Sequence, residues 1–299
     1  MTTTSTQMNG KTVVVTGATQ GIGLEAAKAM AAMGARLIIT ARDAARGEAA
    51  RVQVAAAGNG QVDVVLVDFA SMASIRAGAA ELKQKTSRID VLLNNAGAVF
   101  MERGETKDGL ELSFGTNHIG YFLFTHELLD VIKSSAPARI VNVSSMGHKM
   151  PRHGLDFANL VKREHGYAGM AVYGESKLAN VLFTTELARR LDGTGVTVNC
   201  LHPGVIASGF GTNNKGFLGF ITKHLSPIFL TTPAKGAATS VYLCTSPDVA
   251  GTTGKYFANK KEATTSKPAR DASAAARLWA LSEEVCGLPP SSSSSKAAA

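Results

Sequence analysis

The stretch that most limits how this chain can fold is Thr16-Gly17-Ala18-Thr19-Gln20-Gly21-Ile22-Gly23. The apolar run Val13-Val14-Val15 precedes it, and Leu24, Ala26, Ala27, Met30 and Met33 follow in a helical pattern. A buried strand, a glycine turn and a helix start, in that order, leave free N–H groups and partial positive charge at the turn. The glycines let the main chain come close to a pyrophosphate. Gly17, Thr19, Gln20, Gly21, Ile22 and Gly23 therefore read as the phosphate cradle of a dinucleotide site.

The rest of the chain repeats the strand–helix rhythm. Short Val/Ile/Leu-rich runs fall at 12–15, 36–40, 61–67, 90–93, 139–143, 196–200 and 255–257. Longer helical patterns fall at 43–57, 71–85, 110–132, 172–191 and 233–244. The short runs do not alternate with polar residues, as expected of strands covered on both faces. The pattern predicts an α/β chain with a doubly wound, mostly parallel sheet of seven strands and helices on both faces. No linker or fixed-length repeat divides it. One domain is expected over 10–288, with the proline- and serine-rich stretch 289–299 as a disordered tail.

Composition excludes several other classes. The net charge is +8, but the Lys and Arg residues are scattered without a basic run, so an anionic cofactor suits them better than nucleic acid. The start Met1–Gln7 carries no apolar signal segment, and the most apolar stretch, 216–230, is interrupted by Lys223, His224 and Pro227. A soluble, cytoplasmic protein is expected. Cys200, Cys244 and Cys286 are far apart and read as reduced, buried thiols; neither they nor the histidines show metal-ligand spacing, so no metal is expected.

Three strand ends extend the cofactor reading. The second strand closes on Thr40-Ala41-Arg42, where an NAD-binding fold usually carries a carboxylate for the ribose 2′-hydroxyl. Arg42 instead offers a guanidinium to a 2′-phosphate, which favours NADP(H). Asp68 and Phe69 end the third strand, where the carboxylate either reaches the adenine or caps the turn before Ser71. Asn94-Asn95-Ala96-Gly97 ends the fourth as a loop small enough to press on a cofactor, or as a simple turn.

Tyr173 and Lys177 stand at i and i+4 on a predicted helix, sharing one face. An ammonium near a phenol favours the phenolate and makes the tyrosine a usable acid or base. Ser145 ends the fifth strand, at the sheet edge where such folds bind ligands, and Asn117 lies in the preceding helical stretch.

In this order, Thr16-Gly-x-x-x-Gly-x-Gly23, Asn94-Asn-Ala-Gly97, Asn117, Ser145, Tyr173-x-x-x-Lys177 and Pro203-Gly204 resemble the short-chain dehydrogenase/reductase family. The resemblance spans residues 10–285 and implies a Rossmann-type fold. It implies Tyr173 as general acid/base, Ser145 on the substrate oxygen, Lys177 on Tyr173 and the nicotinamide ribose, and Asn117 holding a relay water. It places Asn95, Ala96 and Gly97 on the adenosine side. Pro203 and Gly204 flank the nicotinamide, with Val205 and Ile206 next in the loop and Ser208 standing in for a threonine common after Pro-Gly. Thr116-Asn-His-Ile-Gly120, Ser176-Lys-Leu-Ala-Asn180 and Arg277-Leu-Trp279 are similar to the retinol dehydrogenase branch. The implied activity is NADP(H)-dependent interconversion of a carbonyl and an alcohol on a small apolar substrate, with the Phe-rich stretch 210–230 as a substrate lid. The resemblance further implies a homodimer or homotetramer, against which the long stretch Met146–Val172 argues for a monomer. Two other readings share the scaffold: a light-dependent, protochlorophyllide-type pigment reductase, and an NADP(H)-sensing protein without turnover.

Overall fold

The computed structural model describes residues 7–58, 60–204 and 232–291. Its strands are β1 (Thr12–Val15), β2 (Arg36–Ala41), β3 (Val62–Leu66), β4 (Val91–Asn94), β5 (Ala138–Val143), β6 (Val196–His202), β7 (Tyr256–Ala258) and β8 (Lys261–Glu262). Its helices are α1 (Gly21–Ala32), α2 (Ala44–Ala57), α3 (Met72–Lys85), α4 (Leu112–Phe114), α5 (Gly120–Ser134), α6 (Gly169–Arg190), α7 (Pro233–Thr245) and α8 (Ala272–Val285).

The strands form one sheet in the order β3-β2-β1-β4-β5-β6-β7-β8, parallel up to β7. The sequence reading expects seven strands. The eighth is the two-residue β8, which folds back antiparallel on β7 and is too short to leave an apolar signature. The reason for unbroken apolar runs is visible in the core. Val14, Ile38, Leu92, Ile140 and Val198 point into one apolar layer under α3, α5, α6 and α8. Val13, Val15, Leu37, Ile39, Leu93 and Val141 point into the other, under α1, α2 and α7. Both faces are buried, so both residue parities are apolar.

Several helix starts carry a side-chain cap. Asp43 accepts the Arg46 N–H at 2.9 Å, Ser71 that of Ser74 at 3.3 Å and Thr232 that of Lys235 at 3.4 Å. In α1 the N-cap is Gln20, whose side chain caps nothing, so the first-turn N–H groups face the loop without an internal acceptor from it. The order reverses between β1 and β4. This places the crevice for a ligand at the carboxyl ends of those strands, beside the glycine loop.

Three features differ from the sequence reading. The helix expected over 110–132 is broken by a π-turn at Gly115–Ile119 between α4 and α5. Residues 272–285, absent from the expected helices, form α8. The stretch from 289 begins packed, since Ser291 donates its N–H to Glu283 at 3.2 Å and its hydroxyl to the same carboxylate. Residues 205–231 and 292–299 lie outside the described ones, and with them Val205, Ile206, Ser208 and the expected lid.

Candidate active site

The glycine loop is shaped by contacts that leave no room for side chains. A Cβ on Gly17 would lie 2.8 Å from Ala96 Cα, and one on Gly23 would lie 2.4 Å from Asn95 Nδ2 and 2.5 Å from the Gly17 carbonyl. Gly17 and Gly21 have φ of 64° and 59°, the left-handed region that favours glycine. Thr16 Oγ1 accepts the N–H groups of Asn95 and Ala96 at 2.8 and 2.9 Å. Asn95 Nδ2 donates to the carbonyls of Thr16 and Gly17 at 2.9 and 3.2 Å. Asn95 therefore holds the glycine loop against the end of β4. That is a structural task in addition to lining the crevice.

The crevice has a volume of about 570 Å³ and is walled by Gly17, Thr19, Gln20, Gly21, Ile22 and Gly23 on one side and by Asp68, Phe69, Asn95, Ala96 and Gly97 on another. Its far end carries Arg42 and Arg46. Both are exposed, and Arg46 Nη2 donates to Gln20 Oε1 at 2.7 Å. The sequence reading missed Arg46, because a basic residue one turn into a helix looks like part of a solvated face. Arg42 lies before the N-cap Asp43 and Arg46 in the first turn of α2, and both line the same crevice. Asp68 lines the crevice, accepts the Ala70 N–H at 3.1 Å and pairs with Lys107 at 3.2 Å, so its turn-capping role is real. An open glycine cradle, a helix start without a side-chain cap and two exposed cations fit an anionic dinucleotide.

The tetrad expected from sequence comes together next to this crevice. Tyr173 and Lys177 lie on α6 and are buried, and Lys177 Nζ sits 5.6 Å from the Tyr173 ring centre. Lys177 Nζ donates to the Val143 carbonyl at 3.2 Å. The Tyr173 hydroxyl is hydrogen-bonded to Ser145, whose Oγ also accepts the Gly147 N–H at 3.1 Å. Asn117 lies in the π-turn. It exchanges hydrogen bonds with Ala98, both at 2.9 Å, and donates to Ser176 Oγ at 3.0 Å. Gly97 closes the space between them: a Cβ there would lie 3.0 Å from Asn117 Oδ1 and 3.4 Å from Lys177 Nζ. Pro203 and Gly204 follow β6, next to the strand that delivers Ser145. Gly204 takes φ 87° and donates its N–H to His202 Nδ1 at 3.0 Å.

The electrostatics differ from the simple Tyr–Lys expectation. Burial pushes Tyr173 up to about 12, and only the Ser145 hydrogen bond works against it. Burial pushes Lys177 down to about 7. In this state the phenol is a proton donor held neutral, and the lysine is poised near neutrality. Tyr121, one turn after Asn117, was not singled out from sequence. Its ring lies 5.8 Å from Lys177 Nζ and completes the apolar wall around the ammonium. Cys200, Cys244 and Cys286 are buried and unpaired, each thiol pushed up to about 12 by burial.

The family model described as short chain dehydrogenase matches residues 11–156 and 161–216. The chain belongs to the short-chain dehydrogenase/reductase family. Within that family it is retinol dehydrogenase-like. It is 44% identical to mouse retinol dehydrogenase 14, over 94% of this chain and 87% of that one, and 42% identical to mouse retinol dehydrogenase 12, over 96% and 89%. Among solved structures, an uncharacterized protein from Mycobacterium paratuberculosis shares 32% identity with a TM-score of 0.75, covering 94% of both chains. The active-site complex of Pseudomonas aeruginosa RhlG with NADP shares 26% with a TM-score of 0.67, over 85% of this chain and 96% of that one. The short-chain dehydrogenase described here is therefore a dehydrogenase/reductase of a family that uses nicotinamide cofactors. Among the described residues, no helix is long and apolar enough to cross a membrane.

Proposed function

We propose that this short-chain dehydrogenase reduces, and in reverse forms, an apolar aldehyde or ketone with NADP(H), using Asn117, Ser145, Tyr173 and Lys177. The observation that carries the reading is the meeting of Ser145, Tyr173 and Lys177 beside a crevice that Gly97 shares with them and that two guanidiniums also line. Bound there, the nicotinamide cofactor supplies or accepts the hydride.

The residues do the rest. The glycine loop and the start of α1 hold the pyrophosphate, and Arg42 with Arg46 pairs with the 2′-phosphate. Asp68, Phe69, Asn95, Ala96 and Gly97 border the adenosine. Lys177 holds the nicotinamide ribose, and Pro203, Gly204 and Val205 flank the nicotinamide. Ser145 Oγ and the Tyr173 hydroxyl converge on the substrate oxygen, where they stabilise developing negative charge. Tyr173, neutral at working pH, donates the proton to that oxygen and takes it back in the oxidative direction. The apolar substrate is supported by the surroundings of Tyr173. Val99, Met101 and Met170 pack about it, apart from the two main core layers, and Met146, next to Ser145 in the chain, and Met150, against Gly174, stay half-exposed. The active unit is residues 10–288, a soluble single domain without a metal.

The test is steady-state oxidation of NADPH and NADH, in the dark, against a panel of apolar aldehydes and ketones that includes retinal. Carbonyl-dependent oxidation with kcat/KM at least about tenfold higher for NADPH supports the reading. Equal use of NADH would remove the role of the two arginines. A requirement for light would replace the reading with pigment reduction, and NADPH binding without turnover would replace it with sensing.

A further inference from the structure

Behind the tetrad runs a line of buried polar groups that the proposed chemistry does not use. Asn180 lies one turn beyond Lys177 on α6 and has no exposed surface. Its Nδ2 donates to the Asn117 carbonyl at 3.0 Å and reaches the Val143 carbonyl at 3.5 Å. The first of these carbonyls belongs to the π-turn, where the regular hydrogen-bond ladder of a helix is interrupted. The second is the acceptor of Lys177 Nζ. One amide thus spans the main chain under Asn117 and the main chain that holds Lys177.

His118, next to Asn117 in the π-turn, is fully buried as Asn180 is, and the amide favours a proton on its imidazole. His118 Nε2 lies 2.9 Å from Ser282 Oγ on α8. The Ser282 hydroxyl donates its one proton to the Leu278 carbonyl at 2.7 Å, so Nε2 carries the imidazole proton and donates it to Ser282 Oγ. The amide NH2 group is left to the two carbonyls of Asn117 and Val143.

We infer that Asn180 is a positioning residue for the reaction: its amide sets Asn117 and Lys177 relative to each other. The inference rests on the proposed roles of Asn117 and Lys177. A displacement of about 1 Å at such a centre is enough to cost two orders of magnitude in rate.

Asn180→Leu removes both ends of the amide at similar volume. Thr184→Val is the structural control. It lies one turn further along α6 and deletes a buried hydroxyl bonded to the Asn180 carbonyl at 2.8 Å and to Asn142 at 2.9 Å. The expected result is a kcat lowered about 10–100-fold in Asn180→Leu, with KM and NADPH Kd within about threefold, and a kcat within about threefold of wild type in Thr184→Val. Equal kcat losses in the two variants, tracking their Tm losses, would overturn the inference. If Asn180→Leu does not fold, Asn180→Asp keeps the size and removes the NH2 donors; full activity in it would overturn the inference as well. A second readout needs no turnover. The 15N spectra of the lysine-labelled apo chain should show the Lys177 titration moved in Asn180→Leu and unmoved in Thr184→Val. A Lys177 titration unmoved in Asn180→Leu would overturn the inference. A wild type that binds NADPH but reduces no carbonyl overturns the function itself, and the lysine spectra then still decide whether Asn180 sets Lys177.

Discussion

Lys177 has exchanged water for one carbonyl at 3.2 Å and the rings of two tyrosines. Its pKa near 7 in the folded chain lies below the 10.5 of the free side chain. Between those values the unfolded chain binds the extra proton, so stability rises with pH across that window and the cost is fully present below it. Lys177→Met should therefore raise Tm by a few degrees at pH 6 while abolishing turnover, measured by thermal denaturation and NADPH oxidation. A lowered Tm would mean the ammonium is better solvated than its burial implies. At the other end of the crevice, Arg46→Ala should weaken NADPH binding about 3–10-fold and leave NADH binding unchanged, read by titration calorimetry at low salt. Arg42 was legible in the sequence because it follows a strand directly where a carboxylate is expected. Arg46 was not, because its role depends on α2 turning it back toward Gln20. Tyr173, Lys177, Ser145 and Asn117 were legible as residue types at known spacings. Their environment was not: burial raises Tyr173 to about 12, and no local pattern reports burial.

At the scale of elements, the glycine loop and α1 are the part that the sequence specifies most fully. Each glycine marks a place where a side chain would collide. Gly23→Ala should lower NADPH affinity at least about 100-fold with little change in far-UV circular dichroism, since the added methyl group strikes Asn95 and the Gly17 carbonyl. The β-strands were read to within a residue or two because both of their faces are buried. The π-turn at Gly115–Ile119 was invisible, because Phe114, Ile119, Tyr121, Phe122, Leu123 and Phe124 are buried on every side and leave no single apolar stripe whose phase an extra residue could shift. Helix α8 was passed over for a related reason. Its apolar side is short, and its meaning comes from Trp279, whose ring packs 4.9 Å from Phe122 and 6.0 Å from Phe183 while Arg190 covers it at 4.2 Å. Trp279→Ala should cost about 3–5 kcal/mol in urea unfolding. A loss under 1 kcal/mol would mean that α8 is not integral to the fold.

For the molecule as a whole, buried histidines set the acid limit. His118 titrates near 3 when folded against 6.5 when free, and burial also pushes His148 and His202 down. Over that interval the unfolded chain carries protons that the folded chain refuses, so stability is complete above about pH 6.5 and falls as pH drops toward 3. His118→Phe, which suits the ring cluster of Phe114, Phe122 and Phe183, should flatten the decline of Tm between pH 6.5 and 4.5. An unchanged slope would shift the acid sensitivity to the other two rings. The central claim concerns the crevice and the tetrad acting together. Its most direct test is incubation of the purified chain in the dark with NADPH deuterated at the transferable position and an apolar aldehyde, followed by mass spectrometry of the alcohol. The account predicts one deuterium on the carbinol carbon with wild type and a rate lowered about 10²–10⁴-fold with Tyr173→Phe. Deuterated alcohol formed equally fast by Tyr173→Phe, or none formed by wild type with any apolar carbonyl, would contradict it.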